Sequence, residues 1–121
     1  MKNIDIISTV TAYQQADGTL ILPAKIAWTR RVNMKRLMEA KAIIDEAMQE
    51  IQNKYADDEH SSEKDGQRLV KPQYMAEFSK EQADILLQET DVDIKMIPIE
   101  DLGDIALSDK QMDTLAFMIA E

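Results

Sequence analysis

The longest stretch of this chain without a helix breaker runs from Pro23 to Tyr55, thirty-three residues with no glycine and no second proline. Within it, side chains recur at alternating intervals of three and four residues, which is the heptad spacing of one helical face. The members of this seam are Met34, Leu37, Lys41, Ile44, Met48, Ile51 and Tyr55. A helix of this length extends about 50 Å and cannot cover its own apolar face, so it must pack against another helix.

The second helix expected in this chain, over about residues 73–89, is too short to cover the whole seam. It would extend about 25 Å, whereas the seam from Met34 to Tyr55 extends about 33 Å. The sequence therefore predicts self-association through the seam. Lys41 either interrupts the seam and fixes its register at a cost in stability, or lies at its edge.

Residues 3–15 can be interpreted in two ways. Their β-branched content favours a strand. In contrast, Ile6, Val10 and Tyr13 have the spacing of a helical face, and Asn3 could serve as the N-cap of a short helix. The two alternatives stay open at this stage.

The rest of the chain predicts shorter elements. Residues 56–72 are polar and contain an Asp65-Gly66 turn, so they predict a loop. Alternating apolar and charged residues predict a half-buried strand over about residues 91–97, with residues 20–22 as the evident partner within the chain. Ser108 and Gln111 form the sequence pattern of a capping box, which predicts a helix over about residues 109–120.

These elements predict one domain that is mainly α with a small β element. Its long helix, over about residues 23–55, would pack antiparallel on the second helix, followed by the short strand and the capped C-terminal helix. The chain contains no cysteine, which excludes disulfides and thiolate ligands. No apolar run approaches the roughly 20 residues of a membrane span, so the sequence predicts a soluble protein.

Charge is distributed unevenly along the chain. Residues 1–44 carry a net charge of +4, whereas residues 45–121 carry −13. The positive charge forms a basic patch on the long helix: Lys25, Arg30, Arg31, Lys35 and Arg36. With Trp28 beside it, this patch could bind phosphate or single-stranded nucleic acid. Because the whole chain carries −9, repulsion from a polyanion favours an acidic protein surface as the partner.

No motif supports catalysis or a cofactor. His60 is the single histidine and lies among acidic residues of the polar loop, a setting more typical of a solvated loop than of a metal site. Carboxylate pairs such as Glu46 with Glu50, or Glu77 with Glu81, have the spacing of solvated helix faces. We therefore expect no enzyme activity, no bound metal and no small-molecule substrate.

The order of segments resembles a family of small, functionally uncharacterised proteins from tailed phages and prophages of Gram-positive bacteria. The similarity rests on Leu22-Pro23-Ala24-Lys25 before the long helix, the Lys64-Asp65-Gly66 turn, Glu89-Thr90-Asp91-Val92-Asp93-Ile94, Ile97-Pro98-Ile99-Glu100-Asp101-Leu102, and a closing Leu107-Ser108 with Leu115 and Ile119. It implies a helix for residues 3–15 and carries over no catalytic residue. The pair Arg30-Arg31 departs from the apolar pattern expected there.

The resemblance implies a phage or prophage protein that acts through protein–protein assembly, as a structural, chaperone or accessory factor. It would be located in the cytoplasm of the bacterial host or in the virion. The alternative is an acidic inhibitor of a host nucleic-acid-binding or defence protein, which the twenty acidic residues of the segment 45–121 favour.

Overall fold

The computed structural model describes residues 1–15 and 20–120, and it is mainly helical with a small β component, which confirms the predicted fold class. Its helices are α1 (Asn3–Gln14), α2 (Ala24–Lys54), α3 (Met75–Leu86) and α4 (Asp109–Leu115). Its strands are β1 (Ser61–Lys64), β2 (Gln67–Val70), β3 (Ile97–Pro98) and β4 (Ile119–Ala120). Single turns of 3-10 helix cover Pro72–Tyr74, Ile99–Leu102 and Ala116–Met118. Within the described ranges, no helix has the length and apolar character that crossing a membrane requires.

The segment 3–15 forms the helix α1. Ile6 and Val10 lie one turn apart on it and are completely buried against α2. Burying two branched side chains stabilises the structure by about 3–6 kcal/mol, which outweighs the small penalty that β-branched residues carry in a helix.

Asn3 does not have the predicted capping role, because Lys2 occupies the N-cap position. The Asn3 side chain instead connects α1 to the end of α3. Its Nδ2 atom donates to the carbonyl oxygen of Ile85 over 2.7 Å, and its Oδ1 atom accepts from the hydroxyl of Thr90 over 2.6 Å. The start of α1 is therefore fixed by contacts that are distant in sequence.

The seam of α2 faces the interior of the chain itself. One cluster of buried side chains consists of Ile6, Val10, Met34, Leu37 and Ile44. At the far end of α2, Tyr55 packs edge-on against Phe78 of α3, with ring centroids 5.3 Å apart. The chain covers more of its own seam than the sequence predicts, because α1 also packs on α2. The helix α1 packs on the N-terminal half of α2, and α3 packs near the C-terminal end of α2. The seam therefore gives no reason to require a second copy.

The helix α3 is shorter than the predicted range of 73–89 and lies at the periphery. None of its residues is fully buried. Phe78 and Ile85 are half-buried, and Met75 at its start is 44% exposed. This helix covers part of the α2 seam, and half of its residues are exposed.

The polar segment 56–72 contains a β-hairpin in place of the predicted loop. Strands β1 and β2 pair antiparallel, with Ser61 opposite Val70. Asp65 and Gly66 occupy the two turn positions with φ values of 53° and 77°, and this pair of positive φ angles is typical of a type I′ turn. These strands could not be predicted from the sequence, because most of their side chains are polar and exposed and show no alternation of apolar and polar residues.

The predicted strand over residues 91–97 is wrong for most of its length. Val92 and Ile94 are half-buried as the alternation predicts, but residues 91–96 have no strand partner. Only β3 pairs, in parallel with β4. Residues 20–22, the expected partner, are not in a strand.

Side chains of α2 form hydrogen bonds to the main chain of residues 91–96, which have no strand partner. Asn33 bonds to both main-chain polar groups of Lys95. Arg36 donates from Nη1 to the carbonyl oxygen of Asp93 over 2.6 Å. Two polar residues on the long helix therefore place the segment that follows α3.

The helix α4 begins with the predicted capping box. The Ser108 hydroxyl accepts from the Gln111 amide over 3.1 Å, and Gln111 Oε1 accepts from the Ser108 amide over 3.0 Å. The helix ends at Leu115, not near residue 120, and the chain continues through a 3-10 turn into β4. A second buried cluster forms here, consisting of Ile26, Ile97, Leu102, Leu115 and Met118.

Candidate interaction surface

The fold divides the predicted basic patch into residues with structural contacts and residues that face water. Arg30 is only 8% exposed and packs against Tyr13. Arg36 is bonded to Asp93, with 3.2 Å between Nη1 and the carboxylate. The exposed members are Lys25, Arg31 and Lys35. The patch is therefore smaller than the sequence indicates.

The exposed members surround Trp28 on one face of α2. Residues three and seven positions apart lie on the same side of a helix, which places Lys25, Arg31 and Lys35 beside Trp28. We call these four residues the Trp28 surface. Trp28 is 65% exposed. None of the three cations forms an ion pair with any residue that the structure describes.

The Trp28 surface lies on the side of α2 that faces away from both buried clusters. Arg30, which packs toward α1, follows Trp28 by two positions and therefore lies about 200° around the helix. Packing of the chain thus leaves the indole ring largely in water. An exposed large aromatic side chain with cations around it is typical of a surface that contacts another molecule.

His60 directly precedes β1, and its ring lies in an aromatic cluster. Its ring lies 5.3 Å from Tyr55 and 4.6 Å from Tyr74, measured between centroids. His60 Nδ1 lies 2.6 Å from a carboxylate oxygen of Asp57, and hydrogen bonds from His60 lower the pKa of Asp57. The sequence predicts a solvated loop position for His60, whereas its ring is half-buried and packs against Tyr55 and Tyr74.

Asp57, Glu59 and His60 could in principle contact a metal ion, since their ligand atoms lie within 4.8 Å of one another. The two carboxylates are exposed, and His60 Nδ1 is already bonded to Asp57. Structural zinc sites use four ligands in a tetrahedron, and this group offers three. The arrangement is explained by the local hairpin contacts without a metal.

Among the helix carboxylates that the sequence offers as acid pairs, Glu81 is held by an ion pair to Lys54. Glu81 accepts a hydrogen bond from Lys54 over 2.6 Å, and this bond lowers the pKa of Glu81. A lowered carboxyl pKa favours the ionised form, whereas a general acid near neutral pH needs a raised one. Glu46, Glu50 and Glu77 are exposed.

A groove of about 640 Å³ lies between the end of α2, the hairpin and the start of α3. Its lining includes Tyr55, Phe78 and Leu69, of which Leu69 is 48% exposed. Gln49 and Gln52 belong to its polar lining. The groove could not be predicted from the sequence, because its lining comes from three separate segments of the chain.

Comparison of the chain with protein-family models, with curated proteins and with solved structures finds no match. The functional assignment therefore rests on the residues and geometry of the molecule.

Proposed function

We propose that this protein acts without catalysis, by binding another protein through the Trp28 surface. The observation that supports this proposal is the exposure of Trp28, at 65%, between cations that no described residue pairs with. Tryptophan and arginine are the residues that most often dominate binding energy at protein interfaces. Burying the indole ring against a partner would supply the apolar contact, and the cations would orient the partner.

The charge of the Trp28 surface selects an acidic partner. The whole chain carries a net charge of −9, but the Trp28 surface itself is cationic. At short range a cationic face attracts an acidic protein surface and repels a basic one. A second copy of this chain offers such a face, since its segment 45–121 carries −13. Exposed acids in the C-terminal part of that segment are Glu100, Asp101, Asp104, Asp109 and Asp113.

An assembly role in a phage or prophage accords with this mode of action. The proposal places the protein in the bacterial host cytoplasm or in the virion, as a structural, chaperone or accessory factor. A gene position among morphogenesis genes would support this role. A position among early or anti-defence genes would favour the acidic inhibitor, in which the acidic segment, not the Trp28 surface, makes the contact.

The test uses Trp28 as its own reporter, because it is the only tryptophan in the chain. Light scattering coupled to size exclusion measures the mass at protein concentrations from micromolar to about millimolar, at low and high salt. We expect concentration-dependent association, a blue shift of the Trp28 emission on association, and weaker association at high salt because screening acts on exposed charges.

Two variants separate the Trp28 surface from unspecific contacts. Trp28→Ala should weaken association at least about tenfold, as expected for an interface residue worth ≥1.4 kcal/mol. Ile43→Ala is the control, since Ile43 is 70% exposed on the same helix but about 22 Å away along the axis. Equal effects of the two changes would contradict the proposal. A wild-type monomer at all concentrations would exclude the second copy and leave a foreign acidic protein as the partner.

A further inference from the structure

Arg30 is a buried cation, and two of its three guanidinium nitrogens have no hydrogen-bond acceptor among the described residues. It is 8% exposed and lies on the side of α2 that packs against α1. Its guanidinium carbon is 4.9 Å from the centroid of the Tyr13 ring. Its Nε and Nη2 atoms are shielded from solvent, and no acceptor in the described ranges 1–15 and 20–120 reaches them.

This burial is unfavourable for the protein alone. Removing a guanidinium from water disfavours its charged form, and burial lowers the pKa of Arg30 accordingly. The contact with the Tyr13 ring offsets part of this cost but satisfies neither N–H group. Buried polar groups in folded proteins are nearly always hydrogen-bonded, so an exception on a buried arginine calls for an explanation.

The surroundings of Arg30 fit a small anion. It lines an opening of about 160 Å³ together with Tyr13, Leu20, Leu22, Ala27 and Arg31. Three of these are apolar and one is a second arginine, so the opening combines low polarity with positive charge. Nε and Nη2 carry adjacent, parallel N–H groups that match the two oxygens of a carboxylate or phosphate.

We propose that the Arg30 guanidinium binds a small oxyanion, a carboxylate or an inorganic phosphate, through Nε and Nη2, with Arg31 adding charge at the rim. The opening of about 160 Å³ has the volume of about five liquid waters, which admits such an ion. Because both atoms are shielded in the structure, the proposal requires that the side chains covering them move aside when the ion enters. The ligating residue Arg30 lies about 200° around α2 from Trp28, so the anion site shares only Arg31 with the Trp28 surface.

The experiment follows the arginine Nε–H signals by NMR during separate titrations with phosphate and with acetate at constant ionic strength. The signal that disappears in Arg30→Met identifies Arg30. We expect it to shift saturably with at least one of the two anions, which also distinguishes the two ligand sources. Arg30→Lys keeps the charge but loses the paired donors, so it should bind at least about tenfold more weakly.

Thermal unfolding provides a second measurement and a matched control. In buffer without oxyanions, Arg30→Met should raise the melting temperature, because it replaces a buried unpaired charge by an apolar side chain of similar length. It should also abolish the further rise that phosphate or acetate produces in the unchanged protein. Arg68→Met is the control, since Arg68 contacts Asp58 and Glu63 on the hairpin surface. It should keep the response to the anion.

Two outcomes would overturn the proposal. The first is an Arg30 Nε–H signal that stays unchanged in both titrations. The second is a lower melting temperature for Arg30→Met together with an unchanged anion response.

Discussion

Asn33 bonds to both main-chain polar groups of Lys95. Its Nδ2 atom donates to the Lys95 carbonyl oxygen over 2.9 Å, and its Oδ1 atom accepts from the Lys95 amide over 2.8 Å. The Asn33 side chain is completely buried. A side-chain amide carries a donor and an acceptor side by side, so a single residue of a helix can replace one rung of a β-ladder here.

Replacing Asn33 by Leu should lower the free energy of unfolding by about 2–4 kcal/mol, since both Lys95 groups lose a partner in a partly buried place. Urea unfolding measures the change. Asn53→Leu is the control, because Asn53 is exposed and accepts a single bond from Gln49. A loss at Asn33 no greater than that at Asn53 would show that water replaces the Asn33 bonds.

Leu37→Ala tests whether the seam is covered within the chain. Leu37 is completely buried, so the change should lower the free energy of unfolding by about 2–5 kcal/mol. Ile43→Ala, on the exposed side of the same helix, should stay within about 0.5 kcal/mol. Both values should be independent of protein concentration. A loss for Leu37→Ala that grows with protein concentration would indicate that a second copy covers the seam.

Ser108→Ala removes the side-chain acceptor of the capping box and should lower the free energy of unfolding by about 1 kcal/mol. Ser79→Ala is the matched control, because Ser79 is exposed within α3 and alanine is the stronger helix former. Chemical unfolding of both variants makes the comparison. Equal effects would mean that the cap is not needed for α4 to pack.

Asp57 should contribute to the acid sensitivity of the fold. Its pKa is lower in the folded protein than in the unfolded chain, because His60 donates hydrogen bonds to the carboxylate. This contribution to stability is present above the ordinary aspartate pKa and is lost as pH falls below about 4. Asp57→Asn should therefore flatten the fall of melting temperature between about pH 5 and 3, whereas Asp91→Asn, an exposed control, should leave its slope as in wild type.

The group Asp57, Glu59 and His60 should bind Ca²⁺, Zn²⁺ and Ni²⁺ only weakly. It offers three ligand groups, and one of them is already hydrogen-bonded to another. Calorimetric titration of each ion should give heats too small for a tight site. A micromolar affinity that is lost in His60→Gln would contradict this expectation.

Local signals were sufficient to predict several elements. The long helix is predicted at about residues 23–55 and occupies Ala24–Lys54. The prediction is close because the heptad pattern and the lack of glycine and proline indicate a helix over the same residues. The capping box at Ser108 needs residues only three positions apart, which makes it readable without the fold.

Contacts between distant segments could not be predicted in this way. Arginine usually lies at the surface, so the sequence predicts an exposed Arg30. Arg30 is buried because Tyr13 of α1 packs against it. Asn33 likewise gives no local sign that it holds Lys95, sixty-two positions later. The seam predicts self-association because no local signal shows that α1 packs on α2 and covers its N-terminal half.

The long helix passes through both buried clusters, with Ile26 in one and Leu37 in the other. Ile94 and Phe117 pack against both clusters as well. Neither cluster can open without exposing side chains that also pack against the other, so we expect the two to unfold cooperatively. We therefore expect amide hydrogens in the middle of α2 to exchange with solvent only through global unfolding, and those of the polar hairpin to exchange by local opening.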